Sequence, residues 1–134
     1  MTPTTTIIFV PDAWHGPECF DKVASTLRTQ DYKTDYVHLP SVDPQPTPLK
    51  SFDPDVETFR THIQSAADAA QQIILVMHSY GSIPTCQAVQ NLEYTTRQAQ
   101  NLPGGVTHLF FMAAFIIPAG KILIEAFGGN DLPW

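Results

Sequence analysis

Hydrophobic positions in the first third of the chain form two short runs with a helical stripe between them. Thr4 to Val10 is rich in β-branched residues and ends at Pro11, which predicts a short buried strand. Thr34 to Leu39, closed by Pro40, predicts a second strand. Between them, with Pro17 in the place of a first helical turn, lie apolar residues at i, i+3, i+4 and i+7 spacing, namely Phe20, Val23, Ala24 and Leu27.

A proline-rich stretch separates this part from the next helix. Five prolines between residues 40 and 54 block regular hydrogen bonding, which predicts an extended surface loop, with a disordered linker as the alternative. Ser51 or Asp53 is expected to cap the following helix, with Pro54 at its first position. The buried face of that helix is expected to be Val56, Phe59 and Ile63.

Two further apolar runs indicate central strands. Gln72 to Met77 is nearly continuous in apolar residues, as in a parallel strand covered on both faces. The following helix is predicted to run to about Leu92, with Pro84 in its first turn. Val106 to Ile117 is predicted as a second central strand, while residues 121–134 have only a weak assignment. Strands that alternate with helices predict an α/β fold, with a parallel sheet of about four strands and flanking helices.

Composition narrows the function classes. The 134 residues carry 7 Lys and Arg against 13 Asp and Glu, a net charge of −6, and no basic run, which disfavours nucleic-acid binding and affinity for anionic membranes. The N-terminus lacks a positive region, and its apolar run is too short for a signal peptide or a membrane span. We therefore expect a cytoplasmic protein. Cys19 and Cys86 lie in no metal-binding pattern and are expected to be reduced, partly buried thiols, and no cofactor or metal site is predicted.

The candidate chemistry lies at Ser79, between a buried strand and a helix. In Val76-Met77-His78-Ser79-Tyr80-Gly81, a sharp strand-to-helix turn would expose the serine hydroxyl and aim the Tyr80 backbone N–H at the same point. Gly81 would avoid crowding in that turn. Met77 stands where the G-x-S-x-G pattern has its first glycine. The non-catalytic interpretation is a simple Ser-Tyr-Gly turn.

The upstream stretch from Phe9 to Pro17 (FVPDAWHGP) completes a family pattern. Together with the Phe52 to Val56 block (FDPDV) and the Ser79 segment, it resembles the α/β-hydrolase superfamily, in particular a small esterase and methylesterase-like branch of fungal type. The resemblance implies a truncated α/β-hydrolase fold. It also implies Ser79 as nucleophile and the backbone N–H groups of Ala13 and Tyr80 as oxyanion hole, with the first strand next to the Gln72–Met77 strand.

The chain departs from that family in two respects. Asp12 stands where glycine is usual, and a carboxylate there would oppose the forming oxyanion and strain the turn if positive φ is required. The family order Ser, acid, His also leaves no residue for the triad acid or histidine after Ser79. We therefore expect residues 1–134 to be a partial domain, with 1–117 the core half and 118–134 the start of a cap or a tail.

No histidine of the chain is expected to replace the missing base. His15, in the loop before the first helix, is the one expected near Ser79, and a surface or packing role is favoured for His15, His38, His62, His78 and His108. Asp131 has no support as a triad acid. An apolar pocket is conceivable from aromatic residues, although core packing is their commoner role, namely Trp14, Phe20, Tyr80, Phe111 and Phe115.

The sequence thus predicts a serine hydrolase-like protein for small esters or acyl compounds, with a small-molecule biosynthetic pathway as one context. Its catalysis is in doubt without the acid and histidine. The alternatives are a non-catalytic α/β-hydrolase-like protein that binds a ligand or partner, and a split enzyme completed by another chain. The sheet edge left by missing strands predicts self-association.

Overall fold

A computed structural model describes residues 4–42 and 49–129 and contains a parallel sheet. Its four strands are β1 (Thr5–Val10), β2 (Lys33–Tyr36), β3 (Gln72–His78) and β4 (Gly105–Met112), in the order β2-β1-β3-β4. All neighbouring pairs are parallel. The predicted α/β class with a four-stranded parallel sheet is confirmed.

In residues 4–42 and 49–129, five helices connect or follow the strands. They are α1 (Asp21–Arg28), α2 (Asp53–Asp68), α3 (Ser82–Ala88), α4 (Tyr94–Ala99) and α5 (Leu123–Ala126). Short 3₁₀ turns, Pro17–Phe20 and Ser79–Gly81, lead into α1 and α3. No helix in the described ranges is both long and apolar enough to cross a bilayer.

The two faces of the sheet are covered unequally. On one face, α2 and α3 pack on alternate strand residues, and Phe59, Ile63, Ile73, Leu75 and Met77 are completely buried there. On the other face, Phe20 of the 3₁₀ turn and Ala24 of α1 pack against β1, and the Phe20 ring stacks on Phe9 with centroids 4.9 Å apart. Ile74 and Val76 of β3 are only partly buried on this second face.

The register of β1 and β3 brings two loops together. Val10, the last residue of β1, lies opposite Met77 near the end of β3. In a parallel sheet the carboxyl ends of neighbouring strands meet at one edge, where α/β proteins bind ligands. The loop after β1 and the turn after β3 are therefore neighbours, as the sequence predicts.

Two strand predictions need correction. β4 ends at Met112 rather than Ile117, since Ala113 adopts a left-handed φ of 43° and leaves the strand geometry. It is also the last strand of the described sheet rather than a central one, and Phe110 is 58% exposed. β2 ends at Tyr36, before the predicted Leu39, although Leu39 is still buried.

Several helix predictions also need correction. Neither Ser51 nor Asp53 caps α2, because its N-cap is Phe52 and the Ser51 hydroxyl donates to the Asp53 carboxylate instead (2.8 Å). α3 ends at Ala88 rather than near Leu92, and α4 was not predicted. Val23 of the predicted apolar stripe is 46% exposed.

Some predictions fall partly outside the described residues. These are the proline-rich loop over residues 43–48 and the tail over residues 130–134, which includes Asp131. Cys19 and Cys86 are free thiols, as expected, but both are exposed rather than partly buried.

Candidate functional site

A strained turn follows β3, and we call residues His78–Gly81 the serine turn. Ser79 adopts φ = 49°, which is unusual for a residue with a side chain and costs on the order of 1 kcal/mol. The Ser82 hydroxyl lies 2.9 Å from the Ser79 carbonyl oxygen and accepts the Phe115 N–H at 3.1 Å. The turn is thus held from the first residue of α3 and from the segment after β4.

Gly81 allows the serine turn to lie directly against the end of β1. A Cβ atom at Gly81 would be 2.3 Å from the Pro11 carbonyl oxygen and 2.7 Å from Cγ1 of Val10. Contacts that short do not occur, so any side chain there would push the turn away from β1. Gly81 therefore places Tyr80 beside the loop after β1, which contains Ala13.

Asp12 faces into its own loop rather than toward solvent. Its side chain is 9% exposed, and Oδ1 accepts the backbone N–H groups of Trp14 (2.9 Å) and His15 (2.8 Å). Nδ1 of His15 lies 2.9 Å from both carboxylate oxygens, and Nδ1 of His78 is 3.6 Å from Oδ2. Asp12 is not in the left-handed region, so the predicted strain is absent. Several polar groups therefore surround the carboxylate charge that was expected to oppose an oxyanion.

The hydrogen bonds in this loop also set the ionisation of Asp12. Burial would raise its pKa, but the N–H groups of Trp14 and His15 and the His15 side chain stabilise the carboxylate and hold the pKa below its ordinary 3.8. Because the pKa is lowered, the ionised carboxylate stabilises the folded loop at pH values above 3.8. This contribution is lost as the pH falls through the pKa of the folded state.

We expect acid to release this loop in a way that depends on Asp12. The backbone amide resonances of Trp14 and His15 should shift together on acidification, with a common midpoint below pH 3.8, measured by ¹⁵N NMR. Asp12→Asn should remove that titration, whereas Glu18→Gln, at an exposed carboxylate nearby, should leave it unchanged. A common midpoint of the two amide shifts above pH 3.8 would show that the pKa of Asp12 is not lowered.

The histidines do not supply a base to Ser79 in the described structure. No described residue makes a hydrogen bond to the Ser79 hydroxyl. His15 and His78 face Asp12, His62 lies 3.0 Å from Asp35, and His108 bonds to the neighbouring Thr107. His38 is exposed after β2. Activation of Ser79 would therefore need a group other than these side chains as they stand.

Two grooves contain aromatic residues from the sequence prediction, and the second includes Tyr80 of the serine turn. The first, of about 620 Å³, lies between the loop after β1 and the segment after β2, where Trp14, His15 and His38 line it. The second, of about 750 Å³, is lined mainly by apolar groups that include Tyr80 and Phe115. Of the other aromatic residues suggested for a pocket, Phe20 lies in the hydrophobic cluster beneath α1, and Phe111 packs against the cluster on the opposite face of the sheet. The suggested aromatic set is therefore split between separate places.

A buried carboxylate near the site escaped the sequence analysis. Asp55, in the first turn of α2, is completely buried and hydrogen-bonds to Ser41 and Tyr80. The one signal for it was its place in the Phe52–Val56 block, which suggested a helix start rather than a buried network. Within residues 4–42 and 49–129, no group of three or more His, Cys, Asp or Glu side chains is arranged to hold a metal ion.

Comparison of the sequence with known proteins identifies its relatives. The sequence profile of the Alpha/beta hydrolase family matches residues 7–134. The chain is similar to the alpha/beta hydrolase nvfD of Aspergillus novofumigatus, with 32% identity over 87% of this chain and 46% of the relative. It is also similar to the probable hydrolase R7 of a Phoma species, with 24% identity over 92% of this chain and 48% of that relative. The chain thus spans about half the length of these curated relatives.

Proposed function

Because this chain belongs to the Alpha/beta hydrolase family, we propose that it carries the nucleophile and oxyanion hole of a serine hydrolase that acts on small esters or related acyl compounds. The observation that carries the proposal is the left-handed φ of 49° at Ser79, in a turn pressed against the loop after β1. A serine held this way matches the strained strand-to-helix turn of the family's nucleophile elbow.

The proposed reaction assigns a role to each site residue. Ser79 Oγ attacks the acyl carbonyl carbon and transfers its proton to a base, while the carbonyl oxygen becomes an oxyanion that accepts the N–H groups of Ala13 and Tyr80. The alcohol leaves with a proton, and water then hydrolyses the acyl-enzyme. The base and its acid partner come from outside these 134 residues, which we propose are a partial domain with the core in 1–117.

Labelling with a fluorophosphonate tests this proposal on the chain as it stands. Ser79 Oγ would form a bond to phosphorus, fluoride would leave, and the serine proton would pass to added imidazole in place of the missing base. We expect intact mass to show one adduct that forms at least about tenfold faster with imidazole, since the serine is weak without a base.

Two variants define the outcome of the labelling. Ser79→Ala should abolish the adduct, and Ser65→Ala, at an exposed serine of α2, should label like the wild type. No adduct on the folded wild-type chain with imidazole, or an adduct that survives in Ser79→Ala, would overturn the proposal. The absence of an adduct would favour the second candidate, a non-catalytic binding protein, which the lack of a histidine partner for Ser79 in the described structure supports.

Self-association stays a prediction. Its support is the edge position of β4, where Leu109, Phe110 and Met112 are each at least 38% exposed. Unpaired strand edges with apolar side chains favour pairing with another chain. The cytoplasmic location and the biosynthetic context also stay predictions.

A further inference from the structure

A completely buried carboxylate joins three separate segments beneath the serine turn. Asp55 Oδ1 accepts the backbone N–H of Ser41 at 2.9 Å, and Oδ2 accepts the hydroxyl groups of Ser41 (2.6 Å) and Tyr80 (2.8 Å). Ser41 follows β2, Asp55 begins α2 and Tyr80 follows Ser79. One side chain thus ties the segment after β2 to the serine turn.

Burial of a carboxylate at this position has a free-energy cost that an apolar side chain would not have. Burying a charge costs several kcal/mol unless hydrogen bonds compensate it, and an apolar side chain of similar volume often stabilises a fold equally well. Here three donors satisfy the carboxylate, and its place in the first turn of α2 is electrostatically favourable. What the carboxylate adds over an apolar residue is a fixed direction for its donors.

Tyr80 is the partner that links this network to the site. Its side chain is half-buried, and burial together with the hydrogen bond and charge of Asp55 raises the pKa of the phenol far above its ordinary value. The phenol therefore stays protonated and donates to Asp55 throughout the neutral and mildly alkaline range. The network acts as a constant anchor rather than as a pH-dependent one.

We propose that Asp55 is a positioning residue, which holds the backbone N–H of Tyr80 in place through the Tyr80 hydroxyl. The proposal rests on the proposed function, in which that N–H stabilises the oxyanion. Ser79 adopts a strained conformation, and such conformations persist only where the surroundings hold them. The side-chain anchor at Tyr80 restrains the residue that follows the strained one. Asp55 itself touches neither substrate nor nucleophile.

Removal of the anchor should slow the labelling of Ser79 without unfolding the chain. Tyr80→Phe deletes only the hydroxyl, and Asp55→Asn replaces the carboxylate with an isosteric amide. We expect each to reduce the rate constant of fluorophosphonate labelling in imidazole about tenfold, because small displacements of a catalytic group have effects of this order or larger. The double variant should be no slower than Asp55→Asn alone, since the two residues act as one unit.

A control and a second readout separate positioning from general stability. Phe59→Leu, in the buried core on the same helix, lowers stability but should leave the labelling rate within about twofold of the wild type. The ¹⁵N order parameter of the residue 80 amide should be about 0.85 in the wild type, as in rigid backbone, fall in Tyr80→Phe and stay high in Phe59→Leu.

The results distinguish this inference from the proposed function. Labelling rates in Tyr80→Phe and Asp55→Asn within twofold of the wild type would overturn it. If the wild-type chain is never labelled, the proposed function fails, and the order parameter alone decides whether Asp55 holds the turn. An unchanged order parameter in Tyr80→Phe would then overturn the anchor as well.

Discussion

Gly81→Ala is expected to destabilise the folded chain by about 3 kcal/mol, because overpacking against backbone cannot be relieved by a side-chain rotation. The new Cβ would lie 2.3 Å from the carbonyl oxygen of Pro11. The backbone of Gly81 is helical, with φ = −53° and ψ = −23°, so its dihedral angles suit alanine. On helix propensity alone the substitution would stabilise the chain by up to ~1 kcal/mol. The steric and conformational effects thus have opposite signs.

Urea unfolding followed by circular dichroism measures this effect. Gly16→Ala is the matched control in the loop after β1, since the nearest atoms there belong to the flexible carboxylate end of Glu18. We expect its stability to change by less than about 0.5 kcal/mol. A Gly81→Ala variant as stable as the wild type would show that the serine turn does not press on β1.

Arg97→Ala is expected to cost about 3 kcal/mol, from lost hydrogen bonds and the cavity left behind. Arg97 is 2% exposed, and its Nε and Nη2 groups donate to the carbonyl oxygen of Pro103 at 3.0 and 2.9 Å. Nη2 also lies 2.7 Å from the Asp68 carboxylate at the end of α2. One buried guanidinium thus ties α4, α2 and the loop that enters β4.

A second arginine supplies the comparison. Arg28, at the end of α1, is exposed and donates one hydrogen bond to Thr34 at 3.1 Å. Arg28→Ala should change the free energy of unfolding by less than about 0.5 kcal/mol, as is usual for surface substitutions. Urea unfolding measures both changes in the free energy of unfolding. Equal changes would mean that the hydrogen bonds of Arg97 do not stabilise the packing of α4, α2 and the loop that enters β4.

Strong hydrophobic periodicity made most of the sheet predictable. The run Gln72 to Met77 corresponds to β3 within one residue, since a strand with apolar neighbours on both faces, buried on one and partly buried on the other, favours continuous apolar residues. The run Val106 to Ile117 was equally apolar but misleading, because its second half is irregular chain after Ala113 rather than strand. Apolar residues on an exposed edge look the same in sequence as those in a core.

The helices include features that the local sequence pattern does not predict. α4 (Tyr94–Ala99) has no apolar stripe, and its buried residue is Arg97, a type normally found at the surface. Its stability comes from tertiary hydrogen bonds that no local pattern encodes. At the start of α2, Ser51 and Asp53 are good capping residues, but they bond to each other instead.

The candidate site also has one part that the sequence predicts and another that it does not. The serine turn followed from a buried strand, S-x-G and a helix, all local signals. The inward orientation of Asp12 depends on the backbone N–H groups of its own loop, and the burial of Asp55 depends on Ser41 and Tyr80. Such contacts join residues by geometry that the chain adopts only when folded.

A crystal structure of the fluorophosphonate-labelled chain would show whether Ser79 is the nucleophile and whether Ala13 and Tyr80 form the oxyanion hole. We expect phosphorus bonded to Ser79 Oγ, with the phosphonyl oxygen about 2.7–3.1 Å from the backbone nitrogens of Ala13 and Tyr80. A phosphonyl oxygen turned to solvent, or an adduct on another residue, would contradict the assignment of nucleophile and oxyanion hole to this chain.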